Sequence, residues 1–514
     1  MMDRSGRPGG RGRHAVAEEQ AGMAWRAVSG VAVPAAVVLL LSATRYGYFG
    51  DELYFLAAGR RLSAGYADQG PGLPLLARVM DTVAPGSFFV LRLPSVLLTV
   101  AAIVLCAMLA REFGGGRWAQ VLAAVGYATS PFLLLQGTML TTNAVDTALW
   151  VIITWLVVRW VRVRDDRLLL AAALVTAVDM QVKWLIPFFW IAVVVSSLVF
   201  GPRELVRRPL LWLGGLIVVA ATVPELIWQA RHDWPQFEMG RVISAEQGIL
   251  GGRLQFVPLS ISLAGFLGAL LLMWGLWALL VWESMRLYRF LGATLILLYV
   301  AFLATGGRIY YAAGMYAVMI AAGAVGLVTT AERLRPRWRR TLTGGTVALA
   351  LAAGVFVLFS TPWRSAEDIH PPKDDAQAAI NIGVYGSFGW HELTDQVVHD
   401  YDQLPPEQRA HAVIITDTYW QASALDQFGR DQLPPIYSPS RGFGYFGTPP
   451  DDASAVLAVG GYDAVLRTQF DHVEPVGKVD TRLGFPGNTQ DVTIWKCTGP
   501  KKSWSQVWPN WMHL

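Results

Sequence analysis

The sequence predicts a polytopic α-helical membrane protein, about eleven transmembrane helices followed by a small C-terminal extracytoplasmic α/β domain. Three observations point there. Of 514 residues, 54% are hydrophobic and 16% charged, and the mean hydropathy is +0.39, a balance that excludes a water-soluble enzyme of this size. Apolar runs long enough to cross a hydrocarbon core of roughly 30 Å recur along the chain as far as residue 360. Short Arg-rich loops alternate with loops that are not, which is the positive-inside pattern.

The opening MMDRSGRPGGRGRH is rich in Arg and Gly, and the apolar run that follows carries no convincing small-residue cleavage site. Residues 1–26 therefore read as a cytoplasmic tail and the first helix as a retained span. Spans are expected at 27–43, 88–110, 119–135, 144–160, 168–181, 185–200, 210–228, 257–282, 291–305, 310–328 and 342–360. Loops 111–117, 159–167, 202–209, 283–289 and 332–340 then face the cytoplasm, and each carries at least two Arg. The first external loop, 45–86, the loop 229–256 and the tail 361–514 face the opposite side of a plasma-membrane domain spanning 27–360. The 21 Trp and 16 Tyr, many near the ends of the runs, supply the interfacial aromatic belts.

Net charge is +4 and the pI about 9.0. Because the basic residues sit in loops between spans, they read as topology signals, and no nucleic-acid partner is expected. The two cysteines, Cys106 in a span and Cys497 near the C-terminus, offer neither a disulfide framework nor a thiolate metal site. The tail has Pro-rich turns and β-branched runs at 412–415, 455–459 and 491–495. It shows no Gly-rich phosphate loop, nucleophile elbow or metal spacing, so no catalytic role is expected of it.

Candidate chemistry lies on the external side. Asp51 and Glu52 follow the first span almost directly, and carboxylates near an apolar boundary suit a general base or a cation that neutralises phosphate; a solvated helix start favoured by the dipole is the plainer reading. Asp68 sits in the turn GYADQGPG, where Gly and Pro fix the backbone. Arg60 and Arg61 read as contacts to lipid headgroups. Ionisable residues inside spans are costly, which marks Asp146, Asp179, Lys183 and Glu225. Asp179 and Lys183 are four apart, so they either neutralise each other on one helical face or leave Lys183 to hold a phosphate. Arg308, followed by Tyr310 and Tyr311 in GGRIYY, occupies an outer turn where topology does not call for positive charge, and suits an anionic ligand. Arg92 asks for an anionic partner, or snorkels. His232, beside Asp233, is either an interfacial hydrogen-bonding group or one ligand of a metal.

Read in order, YFGDELYF, GYADQGPG, LRLPS, TTNAVD, VKWL, IWQARHDWPQ and GGRIYY resemble the protein O-mannosyltransferase-like group of GT-C glycosyltransferases, glycosyltransferase family 39, to which the aminoarabinose lipid A transferases are related. FGWHELTDQV and LPPEQRAHAVIIT in the tail look like the extracytoplasmic domain of actinobacterial members. The resemblance implies a GT-C fold and transfer of a sugar from a polyprenyl-phosphate donor to an acceptor hydroxyl at the outer membrane face, usually with inversion. It implies Asp51 as the base, with Glu52 and Asp68 positioning the base, the acceptor or a cation. Lys183 and Arg308 would steady the phosphate leaving group, and Arg92, Tyr310, Tyr311 and His232 would complete the substrate site. The resemblance fixes no cofactor with certainty and leaves a divalent cation open, for which Glu52, Asp68 and His232 are the candidate ligands. The partners implied are the donor, membrane lipid and a glycan, lipid or protein acceptor. The chain departs from the family pattern at Val182, Trp184 and Glu225. A secondary transporter of a small anionic or sugar-like solute is the rival reading from composition, but such proteins show inverted repeats and midplane broken helices. A membrane scaffold presenting the tail would leave Asp51, Glu52 and Arg308 without a purpose.

Overall fold

The computed structural model describes residues 21–249, 252–461 and 463–514; residues 1–20 of the expected N-terminal tail lie outside the described residues. The protein is a multi-pass helical membrane protein with a small C-terminal sheet. Among the described residues, seven helices are individually long and apolar enough to cross a bilayer: Trp25–Ser42, Phe88–Glu112, Thr142–Val163, Pro209–Arg231, Glu283–Thr305, Ala313–Arg333 and Pro336–Ser360. Two bent pairs pass together, Arg117–Ala128 with Pro131–Thr138 and Gly252–Ser262 with Gly265–Val281. The 14-residue helix Arg167–Met180 and the 15-residue helix Ile186–Phe200 hold the remaining two expected positions.

Local chemistry sets several helix starts. The Ser87 and Thr141 hydroxyls accept hydrogen bonds from Val90 N (3.3 Å) and Ala144 N (3.2 Å), satisfying amides that have no partner within the helix. Proline opens Pro209–Arg231 and Pro336–Ser360, where its missing N–H is not needed. The helices sort into an inner and an outer set. In Thr142–Val163 and Ala313–Arg333, 83% of the most apolar window is buried inside the protein, against 17% in Pro209–Arg231 and 11% in Pro336–Ser360. The outer pair therefore presents its side chains to lipid.

The expected straight spans 119–135 and 257–282 are both broken, by 69° and 102°, and they break against each other. Ser130 Oγ (3.0 Å) and Phe132 N (3.3 Å) both donate to the Leu263 carbonyl, and a Cβ on Gly265 would lie 2.6 Å from the Pro131 ring. Proline interrupts one helix, and the polar backbone freed in one break is satisfied by the other, the condition on which irregular backbone is tolerated at membrane depth.

The Arg-rich loops collect at one end of the bundle. Arg159 and Arg162 both pair with Glu112, at 3.1 and 2.5 Å; Arg164 pairs with Glu204 and Arg208 with Asp166, at 2.9 and 3.6 Å. Arg111 donates to Ala21 O at 2.9 Å, which brings the first described residues to the same end.

At the other end sits a five-stranded sheet of order β2-β1-β3-β5-β4, with β1 Ala412–Thr416, β2 Ile436–Tyr437, β3 Ala455–Val459, β4 Phe470–Val479 and β5 Val492–Pro500. β1 is parallel to β2 and β3, while β5 is antiparallel to both β3 and β4. β1 and β3 are buried on both faces, consistent with their continuous apolar sequence. One face, with Val413 and Val456, packs on Trp504 and Trp508. The other, with Ile414 and Leu457, belongs to a core that also contains Phe49, Leu53 and Leu56 of the first loop and Trp390, Trp420 and Leu425 of the tail. The C-terminal domain thus shares a hydrophobic core with the first loop.

Candidate active site

The helix Gly50–Arg60 opens the first loop, and its two leading carboxylates part ways. Glu52 is fully buried. Its oxygens accept from Phe49 N (2.9 Å), Leu140 N (2.8 Å) and the Arg92 guanidinium (2.8 and 2.6 Å). Arg92 spends its other donors on the carbonyls of Ala43 and Gly47, both at 2.7 Å. Glu52 and Arg92 therefore form one buried pair that fixes the turn between the first span, the loop helix and the start of the 142–163 span.

Asp51 is half-buried and points to the C-terminal domain. Its Oδ1 accepts from the Tyr419 hydroxyl and the Trp420 indole N–H, both at 2.8 Å. Neutral donors orient the carboxylate without forming an ion pair. Burial and the neighbouring Asp51 charge push the Tyr419 phenol well up, so it remains a donor. Trp420 approaches so closely that a Cβ on Gly50 would stand 2.2 Å from its ring; only glycine admits this contact.

Asp68 lies beside them. It accepts from the Tyr54 hydroxyl at 2.9 Å, and burial raises its carboxyl to about 6 against the opposing pull of Arg441 and the Tyr54 bond. Burial works against the Arg441 charge, yet Tyr419, Glu246, Asp68 and Asp51 around it hold its pKa up. Its guanidinium lies 5.4 Å over the Tyr419 ring.

The loop after Asp68 joins this region to the lysine. Gly72 N donates to Gln181 O at 2.6 Å, and a Cβ at Gly70 would sit 2.3 Å from that oxygen, so QGPG packs directly on the turn that carries Lys183. The preceding helix ends at Met180. Lys183 N still donates to Asp179 O at 2.9 Å, one turn on, yet among the described residues no ion pair joins the two side chains. Lys183 Nζ instead donates to Asn143 Oδ1 at 2.7 Å and lies over the rings of Tyr310 and Tyr311, at 5.1 and 4.8 Å.

Arg308 sits beside the same two phenols and forms an ion pair with Glu246. The other oxygen of Glu246 accepts from Arg441 at 2.8 Å. A continuous polar seam results, running from Lys183 through Tyr310, Tyr311, Arg308, Glu246 and Arg441 to Asp68 and Asp51.

His232 is not joined to this seam by any contact among the described residues: it stacks on Trp228 at 4.0 Å, with its Nδ1 paired to the Trp228 carbonyl at 2.7 Å, and packs edge-on to Tyr445. Among the described residues no group of three or more His, Cys, Asp or Glu is placed to hold a metal ion, and Glu52, Asp68 and His232 do not come together in one. Arg60 and Arg61 turn from the membrane surface onto Asp426 of the C-terminal domain.

Five members of the site region, Asn143, Glu246, Tyr419, Trp420 and Arg441, were not singled out from sequence. Asn143 lies inside the TTNAVD motif and was within reach of that reading. The others sit in segments without a recognisable pattern.

Residues 68–228 match the model of the dolichyl-phosphate-mannose-protein mannosyltransferase family. No curated protein sequence matches the chain. Among solved structures the chain is similar to ArnT from Cupriavidus metallidurans in the apo state, with 16% identity over 92% of this chain and 98% of that one, and a TM-score of 0.57. The same protein bound to undecaprenyl phosphate matches at 15% identity over 93% and 98%, with a TM-score of 0.55. The resemblance read from the motifs is thereby borne out: this is a multi-pass membrane protein with the GT-C glycosyltransferase fold, and its residues 68–228 match the dolichyl-phosphate-mannose-protein mannosyltransferase family.

Proposed function

We propose that the chain transfers a sugar from a polyprenyl-phosphate donor to an acceptor hydroxyl at the outer face of the membrane, with inversion. The observation that carries this reading is the polar seam. It sets a carboxylate oriented only by neutral donors, Asp51, at one end and two cations flanking a pair of tyrosines, Lys183 and Arg308, at the other. The family match and the undecaprenyl phosphate named in the ArnT structure support the donor class.

In this reading Asp51 takes the acceptor's proton as its oxygen attacks the anomeric carbon. The bond from that carbon to the lipid phosphate breaks, and the electron pair leaves with the phosphate. Lys183 and Arg308 meet the charge that develops there. Donor phosphate replaces Glu246 on Arg308. Glu52 and Arg92 hold the loop helix that carries Asp51 and exchange no proton. Orientation follows the charges: the Arg-rich end faces the cytoplasm and the sheet domain the other side. That places the seam at headgroup level, where the donor's phosphate lies while its prenyl chain stays in lipid.

The test is sugar transfer or release from a panel of polyprenyl-phosphate sugars by purified wild type and Asp51→Asn. The expected outcome is activity with at least one donor and a loss of about 10²–10⁴-fold in the variant with no change in thermal stability. Near-normal turnover by Asp51→Asn would remove the base assignment. Solute flux without cleavage of any donor would return the protein to the transporter class.

A further inference from the structure

Behind the Tyr54 ring, where the first loop meets the sheet domain, lies a cleft of about 590 Å³. Its charge is unbalanced. The guanidiniums of Arg60, Arg61 and Arg430 converge on a single carboxylate, Asp426, the last two at 2.8 and 3.3 Å. One carboxylate neutralises one cation, so the wall keeps two positive charges in surplus, an arrangement that a bound anion would stabilise. Asp426 is 7% exposed while Arg61 and Arg430 are 35% and 50% exposed. The carboxylate is thus the buried base of the cluster, and the cations are its open face. Arg430 gives Asp426 one bond out of a capacity of five.

The rest of the lining is flat and apolar. Phe443 and Phe446 lie under Arg61, at 5.7 and 5.4 Å, and are covered by it, while the half-buried Tyr437 with the exposed Pro435 forms the open apolar side. Rings of this kind stack on the apolar faces of sugars, while guanidiniums bind phosphate or carboxylate in a fork. The cleft is also tied to the seam. Arg61 caps the end of the helix in whose first turn Asp51 stands, roughly 15 Å away at 1.5 Å per residue, and Phe446 stacks on Tyr54, whose hydroxyl holds Asp68.

We propose that this cleft is an acceptor subsite for an anionic sugar, a sugar ring bearing phosphate or carboxylate, which it grips one helix length from the hydroxyl that reacts. The assignment of the ligand as acceptor rests on the transfer reading above; the binding of an anionic sugar does not.

The probe is glucose 1-phosphate, titrated calorimetrically into the full chain in nanodiscs of neutral lipid. Saturable binding is expected, weakened about tenfold or more by Arg430→Ala and by Arg61→Ala, unchanged by Asp51→Asn, and absent for glucose. Arg430 is half exposed, so its variant retains the fold, and a thermal melt verifies this. Equal binding by wild type and both arginine variants, or equal binding of glucose, would overturn the subsite. Displacement of the sugar phosphate by phosphatidylglycerol introduced into the nanodisc would make the cleft a lipid-headgroup site and overturn the acceptor assignment. If no donor is ever cleaved while glucose 1-phosphate binds as described, the transfer reading falls and the anionic-sugar site stands. With transfer in hand, Arg430→Ala raises the KM of an anionic acceptor without lowering kcat; unaltered KM would sever the cleft from the reaction.

Discussion

The two ends of the polar seam are built on opposite plans. At the lysine end every participant belongs to the helical body and sits in a short turn at the mouth of a span: Asn143 one residue into its helix, Lys183 three residues beyond another, Arg308 and the two tyrosines between two more. At the Asp51 end the carboxylate comes from the first loop, but what orients it comes from residues 419 and 420, more than three hundred positions later. The cation end is a property of the bundle alone. The carboxylate end exists only when the C-terminal domain is docked.

That difference is open to experiment. The largest effect is expected where the first loop is anchored. Arg92→Ala leaves the buried Glu52 charge without its partner and should cost about 3–5 kcal/mol, read as a large fall in Tm and in folded yield; a Tm matching wild type would mean that the pair does not anchor the loop. At the other end, Lys183→Ala and Arg308→Ala should leave Tm nearly unchanged and raise the donor KM about 10- to 100-fold, the range of a lost charge-assisted hydrogen bond. If neither moves donor affinity, the phosphate lies elsewhere.

The smallest effect is a pH dependence peculiar to the docked end. Burial raises the Asp68 carboxyl from its ordinary 3.8 to about 6, so the folded protein holds this proton more tightly than the unfolded chain does. Its contribution to stability is complete below about 4 and declines as pH rises towards 6. Transfer should run the other way if the ionised carboxylate positions the acceptor: the rate falls as pH drops through about 6, and Asp68→Asn loses that limb. An identical acid limb in the variant would assign it to another group.

The same contrast explains what was legible in the sequence. Spans announce themselves by length and composition, so all eleven expected positions hold helices, and the motif-bearing turns at their mouths gave Lys183, Arg308 and the tyrosines. Apolarity does not report direction, so the mutual break at Pro131 and Gly265 was missed. Spacing put Lys183 one turn after Asp179, and a backbone bond joins them there, but no local pattern in VDMQVKW shows that the ammonium turns to Asn143. In the tail, the fully buried β1 and β3 stood out, whereas β2 has two residues and β4 is mostly exposed, leaving little apolar signal. Tyr419, Trp420 and Arg441 look in sequence like ordinary members of a small domain. Their importance arises from docking, a long-range event that no local pattern encodes. Glu52 and Asp51 are adjacent and chemically alike, and only the fold separates the fully buried Glu52 from the half-buried Asp51 that faces the C-terminal domain.

The contact between Gly50 and the Trp420 indole has a consequence for inheritance. Neither position is free to drift alone: a side chain at 50 collides with the indole, and a smaller residue at 420 removes both a donor from Asp51 and the surface that glycine accommodates. Descendants of this chain should keep the two residues together or exchange them together. A recombinant joining the bundle of one lineage to the tail of another should fold around Asp51 only when both parents carry the same pair.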